Sequence, residues 1–282
     1  MNALFSFYSV PFEENDKLNI NYASFFYSWV LSVNLAKKHF EKVILVTDTG
    51  GNDLLINKMN LPFDEVNLAL NNLPVLNKNL WAYAKIYAFS LQTEPFIYID
   101  YDVYLFNKIN PYPAVIVQSI EGFDSTLLSD LFNNYINKLI TANYSSEIFT
   151  GRDENVTYGY NLGIFGGTDI NFVKDFCDEA KNIAEYINQN IEEITPQFSK
   201  LYEQWAIAIS AVYYNKTITT YLNNKSDSVT KGYTHLMERK GDKMITYLIK
   251  NKLSALFPAA FKEITNKLNN GLLNNTVLNK WE

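Results

Sequence analysis

Apolar residues in the first half of the chain fall into short blocks, separated by stretches with helical spacing. Leu4 to Val10 reads as a strand that Pro11 stops. Tyr22 to Phe40 reads as a helix, and its last turn carries Lys37, Lys38 and His39, cations that suit the negative end of a helix. Lys42 to Thr47, "KVILVT", is an almost unbroken β-branched and aliphatic run that leads into the loop "DTGGND". Asn79 to Leu91 reads as a helix; Pro95 then opens the run Phe96 to Phe106, "FIYIDYDVYLF". Ala114 to Gln118, "AVIVQ", is a further short buried strand. Strands of this kind alternating with helices predict an α/β fold: a mainly parallel, nucleotide-binding-type sheet flanked by helices. Ligands in such folds lie beyond the carboxyl ends of the strands, where Asp48 and Asp100 fall.

The second half is less regular. Ser125 to Ile140, Ile170 to Ile187 and Phe198 to Tyr214 read as helices, with "GYNLGIFGGTD" between the first two. The tail "NKLSALFPAAFKEITNKLNN" has helical spacing and basic character. No Gly/Ser/Pro-rich linker and no internal repeat divides the chain. The expected organisation is one domain over residues 1–250 with a C-terminal helical extension over 251–282.

Composition narrows the function. Of 282 residues, 48% are hydrophobic and 19% charged, a globular balance. The 20 Tyr and 19 Phe are read chiefly as core. A net charge of −6 argues against broad nucleic-acid binding, yet leaves room for one phosphorylated ligand at a local site. The single cysteine, Cys177, forms no intrachain disulfide, and reads as a small packing residue in a reducing, cytoplasmic setting. No apolar run reaches the length of a membrane span; Phe25 to Leu35 is interrupted by Ser28, Ser32 and Asn34. The amphipathic tail is expected to pack on its own domain or a second subunit, the alternative being peripheral contact with a membrane.

Asp100 and Asp102 stand inside an apolar run. In a strand, residues i and i+2 share a face, so the two carboxylates would point together and Tyr101 away. Like charges at close range repel unless a cation joins them. Mg²⁺ or Mn²⁺ takes oxygen ligands and keeps places for water and phosphate oxygens. The pair therefore suggests a divalent ion held between protein carboxylates and a diphosphate. The plainer reading is two carboxylates in a loop after a strand.

The segment "WAYAKIYAFSLQTEPFIYIDYDVYLF" resembles the Asp-x-Asp region of GT-A fold glycosyltransferases, closest in pattern to the glycogenin- and galactosyltransferase-like group. The resemblance implies that Asp100 and Asp102 bind a divalent metal that holds the diphosphate of a nucleotide-sugar, and that Lys85 contacts the donor. "YGYNLGIFGG" resembles the segment that lines the sugar pocket in that group, which implies substrate contacts at Asn161, Gly163, Gly166 and Gly167. "YEQWAIA" resembles the Asp-Gln pair near the reacting sugar, with Glu203 in place of Asp and Gln204 following. His235 in "GYTHLMERKGD" resembles the group's C-terminal metal histidine, with Arg239 and Lys240 as the cations beside a leaving diphosphate. The spacing from His235 to Lys240 departs from the group by one residue, and the Lys-Pro-Trp that often follows is absent. Tyr8, Ser9 and Asp48 match by position the loops that hold base and ribose.

These matches imply a metal-dependent transferase that moves a sugar from a nucleotide-sugar, most simply a UDP-sugar, to a glycan or lipid-linked acceptor. Two rivals stand beside it. A haloacid-dehalogenase-like phosphohydrolase also carries a strand followed by Asp-x-Asp, but its motif continues to Thr or Val where this chain has Tyr104. A non-catalytic nucleotide-sugar-binding protein on the same fold is the other.

Overall fold

The computed structural model describes residues 1–14, 22–121, 126–224, 226–237 and 242–273. The described strands are β1 (Asn2–Phe7), β2 (Val43–Thr47), β3 (Glu65–Asn67), β4 (Phe96–Ile99), β5 (Val103–Leu105), β6 (Ile116–Glu121), β7 (Gly159–Gly167), β8 (Thr219–Thr220) and β9 (Tyr233–His235). The chain forms two compact units. The first comprises Met1–Asn71, Ile99–Asn110 and Ser226–Glu282; the second comprises Asn72–Tyr98 and Pro111–Lys225. The expected boundary at 250/251 falls inside the helix Lys243–Leu256.

In the first unit the strand order is β3-β2-β1. All three strands are parallel, with Ala3 opposite Val43 and Ile44 opposite Glu65. The core behind them is aromatic. Phe5, Phe7, Phe25, Trp29 and Phe63 meet ring to ring at 5.7–6.5 Å. Each such side chain contributes about 1.5–3 kcal/mol by leaving water. In the second unit the order is β4-β7-β6-β8, with β6 antiparallel to β7 and parallel to β8. Phe89, Phe96, Phe165 and Phe176 fill its centre. The fold class is α/β with mainly parallel pairing and flanking helices, as the alternating blocks predict.

Several boundaries differ from the expectation, each for a physical reason. Pro11 does not stop a strand; it sits in the first turn of the short helix Val10–Glu14, where a missing N–H costs nothing. "DTGGND" is helical, because Asp48 caps the helix Thr49–Asn52 by accepting from the Gly51 N–H at 2.8 Å. The run Phe96 to Phe106 is two strands with a turn between them. The helix expected from Asn79 begins at Tyr83.

The C-terminal helices Lys243–Leu256 and Pro258–Asn269 lie in the first unit and pack on the helix Tyr22–His39. Tyr27 joins Phe261 by a ring contact at 5.9 Å and Thr265 by a hydroxyl contact at 3.2 Å. Lys267 donates to the Met59 carbonyl at 3.1 Å. Cys177 is fully buried on the helix Ile170–Asn190, and burial pushes its thiol pKa well up, as a packing residue requires. No helix among the described residues is long and apolar enough to cross a membrane.

Candidate functional site

The turn that carries the two aspartates is held from three sides within the first unit. Val103 N–H donates to the Asp100 carbonyl at 2.9 Å and closes the turn. Tyr101 does point away from the carboxylates, as expected, and is drawn into the core: it stacks on Trp29 (5.2 Å, 12°) and meets Phe25 at 5.2 Å. Ser28 and Ser32, one turn apart on the helix Tyr22–His39, fix the strand that follows. Ser32 Oγ donates to the Val103 carbonyl at 2.7 Å, and Ser28 Oγ meets Tyr104 Oη at 2.8 Å.

The strand β5 pairs antiparallel with β9, and that pairing puts His235 directly opposite Val103. Leu236 N–H donates to the Asp102 carbonyl at 3.1 Å and extends the pairing past the strand end. As a result His235 Nε2 lies 3.5 Å from Asp102 Oδ2, with Asp102 only 1% exposed. One ligand atom from each of Asp100, Asp102 and His235 lies within 4.8 Å of the others, and among the described residues these are the three acidic, His or Cys side chains so grouped. Two ligands of one Mg²⁺-sized ion, each about 2.1 Å from it, stand at most ~4.2 Å apart. Two carboxylates and one imidazole are a donor set suited to Mn²⁺ or Mg²⁺, and the residues present fit such an ion.

Asp48 and Ser9 are also brought together in the first unit. Asp48 Oδ2 accepts from Ser9 N at 3.0 Å and from Ser9 Oγ at 2.8 Å, while Oδ1 accepts from Gly51 N. The carboxylate thus ties the loop after β1 to the loop after β2. Gly51 has to be glycine there, since a Cβ would stand 2.1 Å from Thr47 Oγ1. Tyr8, half-buried, follows directly on β1.

The second unit holds Lys85, Glu203, Gln204 and the expected residues of β7. Lys85, on the helix Tyr83–Ser90, forms a buried ion pair with Glu203 at 2.7 Å. Lys85 Nζ also sits over the Tyr98 ring, 4.8 Å from its centre. Glu203 and Gln204 lie in a π-helical stretch, Leu201–Trp205, which interrupts the helix expected over Phe198–Tyr214. Such one-turn widenings re-aim side chains and recur at functional sites. Two contacts fix this one. Trp205 Nε1 donates to the Val156 carbonyl at 2.7 Å, and Gly159 at the start of β7 lets the Gln204 backbone approach to where a Cβ would meet it at 3.0 Å.

Asn161 Oδ1 accepts from Gly163 N at 2.8 Å, and its Nδ2 donates to Glu121. Gly166 and Gly167 lie at the other end of β7. Both have φ above +130°, and a Cβ would stand 2.2 Å from the Phe96 carbonyl oxygen at Gly166 and 2.2 Å from that of Ala114 at Gly167. These glycines let backbones meet without a side chain between them. Gly166→Ala is therefore expected to lower the unfolding free energy by about 1–3 kcal/mol or more, read by urea denaturation. Arg239 and Lys240 lie outside the described residues.

Sequence reasoning missed Ser28, Ser32, Tyr98 and Tyr101 as supports of the site. A signal existed for the serines: two hydroxyls four residues apart on an apolar helix face need buried partners.

Residues 1–267 match the model of a family of unknown function, DUF6734. The chain belongs to that family. No curated protein matches the sequence. Among solved structures, the chain is similar to the galactosyltransferase LgtC in complex with donor and acceptor sugar analogs, at 14% identity and a TM-score of 0.36 over 72% of this chain and 71% of that one. An active-site mutant of LgtC is similar at 13% identity and 0.38 over 72% and 70%. Likeness at that level carries no argument about chemistry, which rests on the residues themselves.

Proposed function

We propose that this protein is a divalent-metal-dependent glycosyltransferase that moves a sugar from a nucleotide-sugar, most simply a UDP-sugar, to a glycan or lipid-linked acceptor. The observation that carries the proposal is the meeting of His235 with Asp102 at 3.5 Å, beside Asp100. A structural histidine needs no second carboxylate at hand; a hard-cation site does. The motif resemblance supplies the reaction class.

In this reading Asp100, Asp102 and His235 hold Mn²⁺ or Mg²⁺, which when bound supplies charge stabilisation to the diphosphate. Arg239 and Lys240 add positive charge where the diphosphate departs. The bond from the sugar carbon to the diphosphate oxygen breaks, and a bond to an acceptor hydroxyl oxygen forms as that hydroxyl gives its proton to the departing diphosphate. Glu203 and Gln204 position the reacting sugar, with Lys85 holding the Glu203 carboxylate in place. Asn161 and Gly163 line the sugar site, and Gly166 and Gly167 shape it by keeping β7 close to its neighbours. Tyr8, Ser9 and Asp48 shape the base and ribose site through the Ser9–Asp48 clasp. Peripheral contact of the C-terminal tail with an anionic membrane is the second reading for that segment, beside its packing on the helix Tyr22–His39.

The test is turnover. Incubated with a panel of UDP- and GDP-sugars and Mn²⁺, the protein is expected to release nucleoside diphosphate slowly from one of them, to stop on chelation and to resume when Mn²⁺ is returned. A trapped aspartyl-phosphate on Asp100 would instead establish the phosphohydrolase. Stabilisation by a nucleotide-sugar without turnover, with any acceptor, would establish the binding protein.

A further inference from the structure

We propose that a cavity in the second unit is a binding site for a small primary diammonium ion, whose N–H groups meet carboxylates and whose charge meets a pair of tyrosine rings. None of the residues that line it is assigned to sugar transfer, so the inference stands apart from that reading. The cavity measures about 250 Å³. Sites for drug-sized ligands start at about 300 Å³, so the occupant is small.

Four lining residues come from one helix face. Asp175, Asp178, Glu179 and Asn182 are spaced i, i+3, i+4 and i+7 on the helix Ile170–Asn190, which stacks them on one side. Glu147, from the short helix Glu147–Thr150, adds a further carboxylate to the lining. Two nearby aspartates have their own cations: Lys181 pairs with Asp178 at 2.9 Å, and Lys216 with Asp169 at 2.6 Å. Asp175 accepts no hydrogen bond and joins no ion pair among the described residues. Glu179 is only 3% exposed. Its Oε1 accepts from Ser146 Oγ at 2.7 Å and from Tyr144 Oη at 3.2 Å. Its Oε2 has no donor among the described residues, yet is not sealed from the open side. A carboxylate buried this far, with other carboxylates beside it, is costly until a cation meets it. Burial raises the Glu179 pKa, and burial together with the charges of Asp178 and Asp169 raises that of Asp175. A bound cation relieves both.

The rings supply a second, independent feature. Tyr213 and Tyr214 line the same cavity, 5.0 Å apart and 85° to one another. Phe172 holds Tyr214 edge-on at 6.4 Å, and Tyr213 Oη donates to Glu147 Oε2 at 3.4 Å. Two crossed aromatic faces attract a cation placed between them. The Tyr214 hydroxyl is pushed up in pKa by burial and by the negative groups around it, Asp175, Glu179 and Glu147 among them, so these carboxylates converge on that ring. A chelated metal ion does not suit the arrangement. Among the described residues, the three acidic or His side chains with ligand atoms within 4.8 Å of one another are those of the Asp100 site. A diammonium ion instead spreads its charge, carries three N–H donors at each end, and lays an apolar stem along the rings. A quaternary ammonium has the charge but no donor for Glu179 Oε2.

The experiment is calorimetric titration of the full chain with the diamine cadaverine, at fixed ionic strength and without nucleotide or Mn²⁺. Tetramethylammonium and a lysine-bearing peptide are titrated alongside. Wild type is expected to bind one cadaverine and to bind tetramethylammonium and the peptide far more weakly. Asp175→Asn and Glu179→Gln are each expected to weaken cadaverine about tenfold or more, and Tyr214→Leu about threefold. Asp175→Asn should melt no lower than wild type, because it removes a charge that Asp178 and Asp169 repel. If Glu179→Gln melts lower, Asp175→Asn decides alone. The proposal is overturned if wild type does not bind cadaverine, if several cadaverines bind per chain, or if Asp175→Asn fails to fold or binds as tightly as wild type. Tetramethylammonium binding as tightly as cadaverine overturns the role of the N–H groups, and the peptide doing so overturns the small-molecule assignment.

Discussion

Replacing Asp102 with asparagine is expected to remove most of the stabilisation that the proposed site would draw from Mn²⁺, and with it the metal-dependent binding of UDP. Asparagine keeps the shape and one oxygen but loses the charge. Asp102 is almost fully buried, and its carboxylate lies among the atoms of Asp100 and His235. An ion at 100 times its dissociation constant stabilises the folded state by about 2.7 kcal/mol, which corresponds to several degrees in melting temperature. Most of that shift is expected to vanish in Asp102→Asn. The metal-free protein should behave oppositely: its stability is unchanged or slightly raised, because one of two close negative charges is gone. His235→Gln keeps both carboxylates and is expected to weaken Mn²⁺ binding rather than remove it. Thermal denaturation across a Mn²⁺ titration, with a chelated control, reads all three. An Asp102→Asn variant that responds to Mn²⁺ like wild type removes this residue from the site.

Breaking the Lys85–Glu203 pair is the second large effect. Glu203→Gln and Lys85→Met each leave one charge of a buried pair without its 2.7 Å partner. Removal of one member of such a pair costs about 3–5 kcal/mol, most of it desolvation of the charge left behind. The double variant is expected to recover a large part of that loss, since no lone buried charge remains. Lys85→Arg is not a mild change: a planar guanidinium does not fit where a single ammonium sits between the carboxylate and the Tyr98 ring, 4.8 Å away. Urea denaturation of the two single variants and the double gives the coupling directly. Additive losses would show that the two charges do not stabilise each other. Sugar transfer by Glu203→Gln, assayed well below its melting temperature, should fall further than its folded fraction explains.

The parts of the fold that were legible are those in which one local pattern decides the outcome. "KVILVT" became β2 within one residue, because long β-branched or apolar blocks have few other uses. The turn at Tyr101 was hidden for the same reason: an apolar run reads as one strand whether it continues or bends, and what bends it is a ring stack with Trp29 from a distant helix. "DTGGND" looked like a loop because its glycines masked the capping role of Asp48. Nothing local in the sequence pairs Lys85 with Glu203, far apart in the chain; only the tertiary fold buries them against one another. His235 was reached through family resemblance. The three-residue pairing of β5 with β9 that delivers it to Asp102 is too short to leave a periodic signal.

The most direct test of the metal-dependent account is the position of the ion itself, read by anomalous scattering from crystals grown with Mn²⁺ and UDP. The account predicts one strong manganese peak at coordination distance from Asp100, Asp102 and His235, with diphosphate oxygens completing its shell. Ordered UDP with no manganese at these three side chains, or manganese bound elsewhere, would contradict it.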